Sequence, residues 1–349
     1  MAGDTRFKQD IPEDQAAGLW ENSGVQPAGG PQPHTDTVGQ GHKPAKLIIE
    51  IASNEDDIRK DQNPHVPYST EEIAADAIEC SKAGAAIIHF HNKDPETGAN
   101  SFDDPEIYLE TARLIRTESD AIFCPSYRFD PAKPLKPQLE YLREYAADPE
   151  LKPEIIGLVP VHEGGISSHY DPVKKAFYNP KMLSIDFLEV LRELDIKPVF
   201  DLYEVGHIRE VLAYLDYGLL EEPLATKFFL SDVGLYGVPP TEQGIRALDM
   251  MFDSKYDWQV MFSSYGPADS TTRNPAHKLA VELGHHLRLG VGDLVRNGFY
   301  IVREIGDNER DITNVGLVEQ AVAWGKEAGR EIANAEEARK IWGIKPLRG

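Results

Sequence analysis

Residues Ala85–Asp94 read AAIIHFHNKD. Four small or β-branched apolar residues lead into His89, Phe90 and His91, and the polar Asn92-Lys93-Asp94 follows. Side chains alternate along a strand, so His89 and His91 face one way and Phe90 the other. The polar tail marks a strand opening into a loop. Two imidazoles on one side of a strand end suit a divalent cation. The plainer reading is a hydrogen-bonded histidine pair that caps the strand.

Outward from this stretch, strands and helices alternate. Upstream, LIIEIAS (Leu47–Ser53) is an apolar strand, followed by a polar loop. Ser69 or Thr70 then caps a helix with Glu71 and Glu72 in its first turn, and the helix stops at Gly84. Downstream, the pattern predicts strands at Ala121–Ser126, Ile155–Val161, Pro198–Tyr203, Thr226–Asp232, Trp258–Ser264 and His286–Val291. Helices are expected between and after them, the last two near Thr313–Ala328 and Ala335–Trp342. Eight strands, each followed by a helix, predict a (β/α)8 TIM barrel. A doubly wound open sheet is the second reading, but no G-x-G-x-x-G follows the first strand.

Composition bounds the function. The 349 residues carry a formal charge of −22, which repels nucleic acid and anionic membranes. No apolar run approaches the roughly 18 residues of a membrane span, and the N-terminus has no apolar signal core. Two cysteines, Cys80 and Cys124, suggest no disulfide framework and fit a reducing cytoplasm. Met1 to Ala45 is rich in Gly, Pro and Gln without an apolar period, so it reads as an extended or disordered arm before a barrel over residues 46–349. His34 and His42, within the arm, read as solvated.

A barrel of this kind carries its active site at the C-terminal strand ends. Those ends offer Glu50, Ser53, Asn54 and Glu55; His89 and His91; Ser126, Tyr127 and Arg128; His162 and Glu163; Asp201, Tyr203 and Glu204; Ser231 and Asp232; Ser263, Ser264 and Tyr265; and Arg288 and Asp293. Glu50 stands out because it interrupts an apolar strand. A buried carboxylate there must face a cation or a donor.

Several stretches together resemble one family, the β-keto acid cleavage enzymes. They are Asn54-Glu55; NPHVPYSTEEIAADAIECSKAGAAIIHFHNKD at Asn63–Asp94; Ser126; KPEI at Lys152–Ile155; LRLGVGD at Leu287–Asp293; and the closing GREIANAEEARKIWGI. The resemblance covers roughly residues 46–345. It implies a metal-dependent barrel, usually a homo-oligomer, a tetramer foremost. It also implies a reaction in which a β-keto acid and a CoA thioester, typically acetyl-CoA, give acetoacetate and a new acyl-CoA. By the same resemblance His89 and His91 match the zinc ligands and Ser126 a substrate-binding serine, although its PSYR context is unusual. Arg288 and Asp293 match the pair that deprotonates the keto acid. Glu55, or its neighbour Asp56, falls near an acidic residue that holds the substrate's amino group.

Two departures carry consequences. The resemblance implies a glutamate as third metal ligand just before Asp293, where this chain has Gly292. Water, or another carboxylate such as Glu50, then completes the site, or the site is weak. Threonine and asparagine are also expected on strand four, where Gly157 and Val159 stand, so the substrate is expected to lack the amino group. The chemistry agrees with the rest: a Zn2+ ion draws electron density from a keto oxygen, and Asp293, oriented by Arg288, is the base. Two rival readings are a metal-dependent hydrolase on the same barrel and a non-catalytic barrel that has lost a ligand at Gly292.

Overall fold

The computed structural model describes residues 46–55, 58–101, 104–127, 135–158, 170–171, 176–177, 181–231, 238–266, 273–294 and 309–346. The expected arm, Met1 to Ala45, lies outside these residues, as do Asp56, Arg128, Val159, His162, Glu163 and Asp232.

Eight parallel strands form the larger of the two described sheets: β1 (Ile49–Ala52), β2 (Ile87–Phe90), β3 (Ile122–Pro125), β4 (Ile155–Leu158), β5 (Lys197–Leu202), β6 (Leu224–Ser231), β7 (Trp258–Tyr265) and β8 (His286–Leu289). They are ordered β3-β2-β1-β8-β7-β6-β5-β4. The two ends of that order are consecutive strands, and the Glu154 N–H donates to the Phe123 carbonyl across the gap at 3.2 Å. The sheet is therefore a nearly closed TIM barrel. The expected strand at Leu47–Ser53 is trimmed by the structure to Ile49–Ala52, the usual uncertainty of element ends.

The main helices are α1 (Thr70–Ala83), α2 (Pro105–Arg116), α3 (Glu140–Tyr145), α4 (Lys181–Glu193), α5 (Val205–Asp216), α6 (Glu242–Asp249), α7 (Arg273–Glu282), α8 (Asn314–Glu327) and α9 (Ala335–Trp342). Their ends are written in the sequence. Ser69 caps α1 in a capping box with Glu72, and Gly84 ends it at φ 127°, a conformation that L side chains rarely adopt. Asp104 caps α2 ahead of Pro105. Asn334 and Glu337 form a second box on α9, closed by a left-handed Gly343.

Two cores result. The larger lies between the strands and the ring of helices. The smaller fills the barrel itself with Ile48, Ile87, Ile122, Ile155, Val199, Ala225 and Met261, and α9 closes it from below with Ala338 and Trp342. Two positions further along these strands, the same inward direction presents Glu50, His89, Cys124, Gly157, Asp201, Lys227, Ser263 and, on β8, Arg288. Period-two geometry thus stacks a polar tier on an apolar floor. Among the described residues no helix is long and apolar enough to cross a membrane.

Candidate active site

The polar tier is held together by charge. Glu50 Oε1 accepts from Lys227 Nζ at 2.8 Å and from Arg288 Nη1 at 3.1 Å, with all three side chains almost wholly buried. Burial opposes the Glu50 charge, but Lys227 and Arg288 outweigh it and hold the carboxyl below its ordinary range. Arg288 also grips Asp293 with two hydrogen bonds, Nε to Oδ2 at 3.2 Å and Nη2 to Oδ1 at 3.0 Å. Its Nη2 further donates to Glu55 Oε1. Ser263 Oγ donates to Asp293 Oδ2 at 3.0 Å. One guanidinium fork therefore orients three carboxylates.

The two histidines behave as period two requires, although β2 ends at Phe90. His89 Nδ1 lies 2.8 Å from the Cys124 carbonyl, which can only accept, so the ring proton belongs on Nδ1 and the Nε2 lone pair points inward. That Nε2 is 3.2 Å from His91 Nε2 and 3.2 Å from Glu55 Oε1. His91 Nε2 is 3.2 Å from Glu55 Oε2. Burial, helped by Arg288, pulls the His89 pKa down to about 4, so its ring is neutral at pH 7. A neutral imidazole lone pair facing a carboxylate oxygen is repulsive unless something positive lies between them. Two nitrogens and a carboxylate converging in this way are the donors that zinc takes.

Asn54 fixes this geometry. Its Oδ1 accepts from the His91 N–H at 2.8 Å, and its Nδ2 donates to the Pro67 carbonyl at 2.9 Å and to the His91 carbonyl at 3.3 Å. Lys93 Nζ, itself buried, donates to the Glu55 carbonyl at 2.9 Å. The loop after β1 and the end of β2 are thus one unit.

Glu50, expected as the replacement ligand, also lies near His89, together with Cys124. That grouping suits a cation poorly. The Lys227 ammonium already stands there, 2.8 Å from Glu50 Oε1 and 3.4 Å from Cys124 Sγ. Glu55, expected to bind substrate, faces both imidazoles. Ser126 is at the same rim, its N–H bonded to the Phe90 carbonyl at 3.0 Å.

Lys227 escaped the sequence reading. The signal was present, since a lysine interrupts the apolar run of β6 as Glu50 interrupts β1. Above the tier, Tyr203, Phe229 and Tyr265 stack with centroids 5.1 and 5.2 Å apart, and Arg288 lies 5.1 Å from the Phe229 centroid.

The site is thus a TIM-barrel rim with a charge-clamped buried acid and a histidine pair. Residues 46–344 match the model of the beta-keto acid cleavage enzyme family, and the chain belongs to that family as an acyltransferase-type enzyme. The chain is 29% identical over 302 residues to the 3-keto-5-aminohexanoate cleavage enzyme of Fusobacterium nucleatum subsp. nucleatum, covering 86% of this chain and 98% of that one. It is 25% identical to the 3,5-dioxohexanoate:acetyl-CoA acetone transferase of Paraburkholderia graminis, over 71% and 82% of the two chains. Among solved structures, apo ObcA superposes with a TM-score of 0.59 at 16% identity, covering 80% of this chain and 66% of that one, a likeness of fold.

Proposed function

We propose that this chain transfers the acyl group of a β-keto acid to CoA, taking acetyl-CoA as co-substrate and releasing acetoacetate and a new acyl-CoA. The convergence of His89 Nε2, His91 Nε2 and the Glu55 carboxylate supports a metal-dependent version of this reaction. These three residues would hold a divalent cation, zinc by its nitrogen and oxygen donors. When bound, the ion supplies Lewis acidity toward the substrate's keto oxygen. Relatives whose names specify acetyl-CoA as acceptor support the co-substrate.

The chain's own residues do the rest. Asp293 takes a proton from the carbon between keto group and carboxylate, and its bidentate pairing with Arg288 fixes which oxygen faces the substrate. Arg288 keeps its charge throughout: burial works against it, but Asp293, Glu55 and Glu50 hold its pKa well above the ordinary value. The Ser126 hydroxyl donates to substrate from the rim. The stacked Tyr203, Phe229 and Tyr265 shield the tier from water, which strengthens every charge interaction beneath them. Glu55 is taken up by two imidazoles and Arg288, which fits a substrate without an amino group.

A panel of β-keto acids with acetyl-CoA tests this. The expected outcome is CoA-dependent turnover of a member without a cationic side chain, lost on chelation and regained with zinc. Turnover that needs no CoA would overturn the reading in favour of hydrolysis.

A further inference from the structure

The Cα of Gly292 lies against Glu55. A Cβ built on it would stand 2.6 Å from Glu55 Cγ, 2.9 Å from the Glu55 backbone N and 3.1 Å from its Cβ. The φ at 292 is not in the left-handed region that favours glycine, so space and not backbone conformation excludes a side chain there. The direction in which a residue at 292 would project is already taken by the stem of the Glu55 carboxylate.

Hydrogen bonds tie the two loops together. Asn314, at the start of α8, bridges them: its Oδ1 accepts from the Val291 N–H at 2.9 Å, and its Nδ2 donates to the Ser53 carbonyl at 3.1 Å. On the other side, the Gly266 N–H bonds the Asp293 carbonyl at 3.2 Å. Val291, Gly292, Asp293, Ser53 and Glu55 are all buried. A side chain at 292 would therefore press on Glu55 at both its stem and its backbone N, and relieving it would shift Glu55 from its place beside His89 and His91.

We infer that Gly292 is the positioning residue of this site: its missing side chain seats Glu55 against the two histidines, so that positions 55 and 292 share room for one carboxylate between them. The inference rests on the metal reading above.

The test is zinc affinity, read by titrating metal-stripped protein against a chromogenic chelator, with thermal melting to show that each variant folds. Wild type is expected to bind one equivalent and His89→Ala to lose it. Glu55→Gly should weaken binding by at least about tenfold, and Gly292→Ala by a similar factor although it removes no donor atom. The exchange variant, Glu55→Gly with Gly292→Glu, should recover to within about tenfold of wild type. A folded Gly292→Ala protein with wild-type affinity overturns the inference. So does an exchange variant no tighter than Glu55→Gly, and this arm decides even if Gly292→Ala fails to fold. Wild-type protein that binds no zinc, or binds it equally without His89, removes the metal reading itself, a result distinct from either.

Discussion

His89 Nε2 and His91 Nε2 stand 3.2 Å apart inside the barrel, with the Glu55 carboxylate reaching both rings. Two imidazoles and a carboxylate so placed could hold a cation. His89→Ala should therefore abolish zinc binding and lower turnover by at least about a hundredfold while the far-ultraviolet circular dichroism stays that of the barrel. Metal content by mass spectrometry together with the rate checks both halves, and full activity without bound metal would contradict the assignment.

Asp293 is the expected base, and its surroundings make the test clean. Asp293→Asn keeps the shape, and its one amide oxygen in the Oδ2 place can still accept from Arg288 Nε and Ser263, so the variant should fold and still bind zinc. The rate should fall by about 10²–10⁴ if proton abstraction passes through this carboxylate. An unaltered kcat with any keto acid turned over by wild type would move the base elsewhere.

The Glu50–Lys227 pair is a stability matter. Both side chains are almost fully buried, 2.8 Å apart. Lys227→Met leaves Glu50 with Arg288 alone and should cost about 3–5 kcal/mol by urea unfolding, as for other broken buried pairs. Adding Glu50→Gln should return part of that loss. Equal stability of the single variant and wild type would show that Arg288 suffices.

Asp76, on α1, accepts from Asn314 Nδ2 at 2.9 Å, and burial raises its pKa to about 7. A carboxyl whose folded pKa exceeds its unfolded one binds more protons when folded. The stability it lends is complete below its unfolded pKa of about 4 and drains away as pH climbs toward 7. The melting temperature of wild type should accordingly fall between about pH 4 and pH 7 relative to Asp76→Asn and level off above, measured in the same buffers. Parallel curves for the two proteins would show that Asp76 does not titrate in this range.

Much of this architecture is legible in the sequence because it depends on local rules. The strand–helix alternation gives the barrel, Ser69 with Glu72 gives the start of α1, and period two puts His89 and His91 on one side. The polar tier is harder. That Glu50 needs a cation follows from its burial; that Lys227 and Arg288 supply it depends on register between strands far apart in the chain. The position of Glu55 is harder still. It is set by a loop meeting another more than 230 residues away, at a glycine whose importance lies in the atoms it lacks. A residue's type announces its chemistry, but which neighbour it meets is decided by closure of the barrel.

The most direct measurement follows the two acetyl carbons of the co-substrate. Acetyl-CoA labelled with carbon-13 in its acetyl group is incubated with zinc-loaded enzyme and an unlabelled β-keto acid, and the products are read by NMR. The account predicts label in the keto and methyl carbons of acetoacetate and none in the new acyl-CoA. Label remaining in acetyl-CoA while the keto acid disappears, or free acetate as the labelled product, would contradict it.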